Sequence, residues 1–206
     1  CDVKIMVALT GAGGEYFSNQ ILGTLDGSYG NRGFIVGNAP SIDFSTIAGN
    51  QYVTVLPSTS GTIMFDGVGD INLAPTELNV RYYQNGELVM SKNIVRGQNG
   101  EFKVCGPVRG GEYTLLIDAE GFLARAVSSD TTNGAFNVGS VVLLNGDIDN
   151  DGEVGPGDFS ILATAFLSAD GDPNWNAAAD LDRDGEVGPG DFSILANNFL
   201  LADDAP

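Results

Sequence analysis

The chain has 206 residues, with 27 acids, 9 bases, 29 glycines, no histidine and a formal net charge of −18. That balance argues against a nucleic-acid partner, whose binding rests on basic patches, and no stretch is long and apolar enough for a transmembrane helix. Without histidine or a phosphate-binding glycine loop between strand and helix, the chain is not expected to be an enzyme.

The chain begins at Cys1, a start expected after removal of a targeting segment. Val3, Ile5, Val7 and Leu9 then alternate with Lys4, Met6, Ala8 and Thr10, and the Gly-rich GAGG follows. This is the period of a strand with one apolar face on a flexible tether. Such an arm, residues 1–14, could bind a partner by completing the sheet of another copy of the chain. Repeated head to tail, that contact would build a pilus-like filament. The same residues would serve equally as the first strand of the chain's own sheet. Cys1 and Cys105, the two cysteines, form a possible disulfide within or between chains, with a free pair or a lipidated Cys1 as the other options. Residues 15–60 are Gly- and Asn-rich, with candidate strands near 34–36 and 52–56.

From 61 to 144 short alternating runs predict strands. Leu78, Val80 and Tyr82 alternate, and Asn85-Gly86 marks a hairpin before Leu88 and Met90. Phe102-Lys103-Val104 follows, then a turn around Gly110-Gly111, then Tyr113, Leu115 and Ile117, and finally the run 140–144. Strands at this spacing predict an antiparallel, Ig-like β-sandwich. The series NGEFKVCGPVRGGEYTLLIDAEGFLARAV resembles the carboxypeptidase-regulatory-like, prealbumin-type sandwich through its Gly-Xaa-Phe, Gly-Xaa-Tyr and Gly-Phe-Leu steps. That resemblance implies a stalk or spacer on a secreted protein.

Charge is concentrated in residues 145–206, which hold 14 acids against one base, Arg183. The stretch DGEVGPGDFSILA occurs twice, at 151–163 and 184–196. Extended backwards, the repeats read DIDNDGEVGPGD (147–158) and DLDRDGEVGPGD (180–191), each fitting a twelve-residue calcium loop. Positions 1, 3 and 5 are Asp147, Asp149 and Asp151, then Asp180, Asp182 and Asp184. Gly152 and Gly185 stand at the sharp turn, Glu153 and Glu186 offer backbone carbonyls, and Asp158 and Asp191 close the loops. Calcium takes six to eight hard oxygens, and alternate residues of a tight loop point inward together, so two Ca2+ ions are expected. Val154 and Val187 are expected to pair across the loops. An amphipathic helix follows each loop: Phe159, Leu162, Ala163 and Phe166 recur as Phe192, Leu195, Ala196 and Phe199. These are read as the faces of a core that Trp175 closes.

A loop followed by a helix, duplicated and without a preceding helix, resembles a type I dockerin domain over about 145–201. Dockerins of cellulase complexes bind cohesin modules through polar residues at loop positions 10 and 11. Here those positions are Pro156-Gly157 and Pro189-Gly190. The expected chain is thus mainly β, with a small helical calcium module at 145–206 joined without a linker to the sandwich. The expected role is a secreted structural protein of a bacterial cell surface, assembling with copies of itself through its arm. The alternative is a docking module for another surface protein.

Overall fold

The structure, a computed structural model, describes residues 57–107, 111–132 and 134–206. The arm with Val3, Ile5, Val7 and Leu9, the rest of the segment to residue 56, Cys1 and hence the possible disulfide to Cys105, and Gly110 of the expected turn lie outside these residues. The described residues belong to one unit, Pro57–Pro206.

The expected β-sandwich is present. Its strands are β1 (Ser58–Phe65), β2 (Glu77–Gln84), β3 (Glu87–Val95), β4 (Glu101–Cys105), β5 (Glu112–Ala119), β6 (Phe122–Asp130) and β7 (Ala135–Asn145). They form a sheet in the order β3-β2-β5-β6-β7-β1-β4. The hairpin between β2 and β3 turns at Asn85 (φ 54°) and Gly86 (φ 80°). Two successive left-handed residues match the right-handed twist of the flanking strands. Along β2, Leu78, Val80 and Tyr82 are buried; along β5, Tyr113, Leu115 and Ile117 are. They meet Ile63 and Phe65 of β1, Phe102 and Val104 of β4, and Val141 and Leu143 of β7 in one core. Residues from both ends of the sheet share that core, so the sheet folds over into two layers. The fold-over falls at β6–β7, which pair only at Phe122–Asn145 and Leu123–Leu144.

One detail departs from the antiparallel expectation: β1, the first strand among the described residues, runs parallel to β7. A parallel pair requires a long crossover, which the strands between β1 and β7 supply.

The C-terminal module adds two helices, α1 (Pro156–Ala165) and α2 (Pro189–Asn198), and two short strands, β8 (Ser168–Ala169) and β9 (Glu186–Val187). Its own core holds Ile148, Val154, Leu162, Ala165, Leu181, Val187 and Leu195. Leu123 of the sandwich belongs to this second core, while the preceding Phe122 belongs to the first. Alternation along one strand therefore serves both modules.

The junction is direct. Asn145 Nδ2 donates to Leu181 O (2.8 Å) and to Asp66 O (3.2 Å). Asn198 Nδ2 donates to Asp66 Oδ2 and to Asn145 O, both at 2.8 Å. Gly67 (φ +76°) lies so close to α2 that a Cβ there would stand 2.6 Å from Ile194 Cδ1.

Candidate metal centre and aromatic face

In each loop three carboxylates converge. Oxygens of Asp147, Asp149 and Asp151 all lie within 4.8 Å of one another, as do those of Asp180, Asp182 and Asp184. The backbone makes this possible by turning at Gly152 (φ 89°) and Gly185 (φ 94°), with Asn150 and Arg183 also left-handed. The loop amides fold around the first carboxylate. Asp147 Oδ1 accepts from Asp151 N at 3.0 Å and Oδ2 from Gly152 N at 3.1 Å. Asp180 does the same with Asp184 N and Gly185 N, at 3.1 and 3.0 Å.

Position 12 is held by backbone amides of its own loop. Asp158 is 1% exposed, and its Oδ1 accepts from Ile148 N (2.6 Å) and Asp149 N (3.1 Å). Its Oδ2 accepts from Gly155 N at 2.7 Å, an N3 carboxylate holding the amide of its own helix's N-cap. Asp191 repeats all three bonds with Leu181, Asp182 and Gly188. These two residues tie the end of each loop back to its beginning, close beside the converging carboxylates. Glu153 and Glu186 are exposed.

The electrostatics fit a hard divalent cation. Burial pushes the Asp147 carboxyl up to about 6, and repulsion from Asp158 and Asp151 adds to it, against the lowering effect of the loop amides. Asp149, Asp180 and Asp182 are raised in the same direction, by desolvation first and then by neighbouring carboxylates. Carboxylates held together against their own repulsion, with oxygen donors alone, match the ligand chemistry of calcium.

The same geometry accounts for Pro-Gly at positions 10 and 11. Pro156 and Pro189 open the helices at N1, where a missing N–H costs nothing. A Cβ on Gly157 would collide with Asp149 Oδ2, and one on Gly190 with Asp182 Oδ2. Position 11 is small because the position-3 carboxylate passes over it.

The helical faces correct the sequence reading. Leu162, Ala165, Leu195 and Asn198 are buried, but Ala163 and Ala196 are exposed. Phe159 and Phe192 are each 45% exposed, Phe166 38% and Phe199 39%. These ties set the phase. Because Asp158 must point into its loop, the residues one and two turns on, Leu162 and Ala165, point inward with it. Phe159, Ala163 and Phe166 follow one position later, about 100° round the helix. Trp175 does pack against the module core, partly buried. Across the two helices Phe159 and Phe192 meet edge to face at 6.5 Å, joining the two exposed stripes.

Val154 and Val187 are fully buried but do not pair with each other. Val187 O accepts from Leu167 N (2.7 Å), and Val154 exchanges bonds with Leu200 and Leu201 (both 2.8 Å). Each loop is thus clasped by the segment that follows the other loop's helix. Leu167 and Leu200 take left-handed φ of 61° and 66° to make that turn.

The family model of the dockerin type I domain matches residues 145–200. Two similar solved structures are type II cohesin–X–dockerin complexes from Acetivibrio cellulolyticus, one an N-terminal and one a C-terminal interface mutant. Each aligns with a TM-score of 0.59 at 22% identity, covering 71% of this chain and 97% of that chain. At that identity the likeness shows a shared fold. No curated protein matches the chain. Residues 145–200 form a dockerin module of type I, set directly on a β-sandwich.

Proposed function

We propose that this chain is a calcium-dependent docking protein of the cell exterior, and that its dockerin module binds a cohesin-type module of another protein. One Ca2+ ion per loop is held by Asp147, Asp149 and Asp151 with the Glu153 carbonyl and Asp158, and by Asp180, Asp182 and Asp184 with the Glu186 carbonyl and Asp191. The ions neutralise carboxylates that otherwise repel, and so fix the helices on which recognition depends.

The observation that carries this reading is the aromatic face. Phe159 of α1 and Phe192 of α2, with Phe166 and Phe199 at the C-caps of the same helices, are left partly in water, beside Leu167 and Leu200, each 78% exposed. Exposed apolar side chains on an otherwise acidic module, with Phe159 and Phe192 in contact across the two helices, suit a protein partner. They replace, as the recognition element, the polar pair that Pro156-Gly157 and Pro189-Gly190 do not provide. The filament reading rests on residues 1–14, outside the described residues, and has no support in the comparisons. Docking therefore takes its place as the main reading.

Titration calorimetry against recombinant type I and type II cohesin modules tests this. Binding is expected in millimolar calcium, and is expected to be lost in EDTA and in a Phe159→Ser/Phe192→Ser double variant. Binding that survives both treatments places the interface elsewhere, and binding to neither cohesin type sinks the proposal.

A further inference from the structure

The two loops are near-identical in sequence, yet the chain after each helix meets different surroundings. After α1 it clasps the second loop through β8 and β9 and ends the contact at Asp170, whose N–H lies 3.4 Å from Gly185 O. After α2 it clasps the first loop and reaches the repeat-equivalent residue, Asp203, whose N–H donates to Gly152 O at 2.8 Å. The backbone pattern is shared, but the side chains are used differently. Asp203 Oδ1 accepts from Ala124 N of β6 at 2.7 Å. Its Oδ2 would stand 3.2 Å from a Cβ on Gly152, whereas nothing lies within 4 Å of the equivalent point on Gly185. Asp204 extends the contact: its N–H donates to Ala124 O, and its Oδ2 accepts from Ala126 N, both at 3.0 Å. Asp170 is exposed and its carboxylate accepts no hydrogen bond among the described residues.

A second pair of equivalents shows the same asymmetry. Asn150, at position 4 of the first loop, accepts from Gly121 N of the sandwich at 2.8 Å. Its counterpart in the second loop is Arg183, which cannot accept a hydrogen bond. The first loop is therefore tied to the sandwich directly at the position-4 side chain, and indirectly at the position-6 carbonyl through Asp203, which itself accepts from Ala124. The second loop has one tie of its own to the sandwich, at position 2, where Leu181 O accepts from Asn145 Nδ2, but none at positions 4 and 6 among the described residues.

We propose that Asp203, supported by Asn150, is a positioning residue that transmits the order of the sandwich into the first loop and makes it the tighter of the two calcium sites. This rests on the calcium reading above. A loop whose backbone is already fixed gives up less conformational freedom when the ion binds, so its affinity is higher. Removing an outer partner of a metal site lowers affinity by about 10–100-fold. Asp203 is itself exposed, so an effect at the low end, about tenfold, is expected.

A calcium titration of the full chain followed by 1H–15N NMR reads each loop through its position-6 amide, Gly152 or Gly185. In the unmodified chain Gly152 is expected to saturate at lower calcium than Gly185. Asp203→Ala should move the Gly152 midpoint up about tenfold and leave Gly185 in place, while Asp170→Ala should move neither. Asp203→Asn keeps the acceptor oxygen for Ala124 but removes the charge. It should restore most of the Gly152 affinity if the residue positions the loop. Dispersed sandwich amides in every variant establish that the fold is intact. Simultaneous saturation of Gly152 and Gly185 in the unmodified chain overturns the proposal. So does Asp203→Asn weakening the first loop as much as Asp203→Ala, which would reduce the effect to charge. If neither amide responds to calcium, the calcium reading itself fails and this inference falls with it.

Discussion

The sandwich and the dockerin module are comparable folding problems solved in opposite ways. The sandwich buries aromatic and branched side chains from six of its seven strands in one core, at about 1.5–3 kcal/mol for each large side chain fully buried. The module buries a handful of aliphatic residues and places next to them two buried carboxylates, Asp158 and Asp191, and two carboxylate triads. Hydrophobic burial alone can hold the first, whereas the second also needs its charges answered. Stability in this chain is therefore of two kinds, and they should separate under the right treatment.

The largest expected effect comes from chelation. Excess EDTA should abolish the helical circular dichroism of α1 and α2 and the ordered environment of Trp175, while the sandwich retains its strand signal. Calorimetry should show one transition disappearing and one persisting. A thermogram unchanged by EDTA would contradict the division, because it would mean that the module's apolar core suffices.

Much of this division was legible in the sequence. Loop spacing, the repeat and the alternation in β2 and β5 located both modules, because metal-loop geometry and strand period are local properties. The phase of the helices was not legible. A stripe of Phe, Leu and Ala looks like a core face, and nothing local reveals that Asp158 and Asp191 must face inward and so rotate the aromatics out. The clasp was also missed: Val154 and Val187 are bound by segments following the other repeat's helix, a long-range pairing without a sequence signature. The junction is a third case. Asn145 and Asn198 read as ordinary polar residues, and only the fold brings them together over Asp66.

The next effect in size sharpens the comparison by deleting equal volume from each core. Leu115→Ala in the sandwich and Leu162→Ala in the module should each cost about 2–5 kcal/mol, but in different transitions. In calcium, Leu162→Ala should lower only the chelation-sensitive transition. If it lowered both equally, the two modules would be one cooperative unit and the distinction would collapse.

Smaller again is the effect of loosening the contact between them. Asn198 donates two hydrogen bonds across the junction and is 6% exposed. Asn198→Ala leaves Asp66 Oδ2 and Asn145 O without this donor, an expected loss of about 1–3 kcal/mol. Its more telling consequence should be kinetic. Amide exchange in α2 should accelerate more than exchange in β5, since the helix loses its hold on the sandwich while the sandwich core is untouched. Equal acceleration in both would show that the junction stabilises the sandwich as much as the module.

The smallest expected effect on stability is at the surface, and it separates the two faces of one helix. Phe159 and Leu162 lie three residues apart on α1, with exposures of 45% and 1%. Phe159→Ser removes a half-exposed ring and its edge-to-face contact with Phe192, a pair interaction of about 0.5–1.5 kcal/mol. Thermal unfolding in calcium should therefore register a loss near 1 kcal/mol or less, well short of that for Leu162→Ala. A loss as large as that of Leu162→Ala would return the aromatics to the core and remove the surface on which docking depends. A small loss accompanied by loss of cohesin binding would mean that these side chains are kept for a partner, because the module folds nearly as well without them.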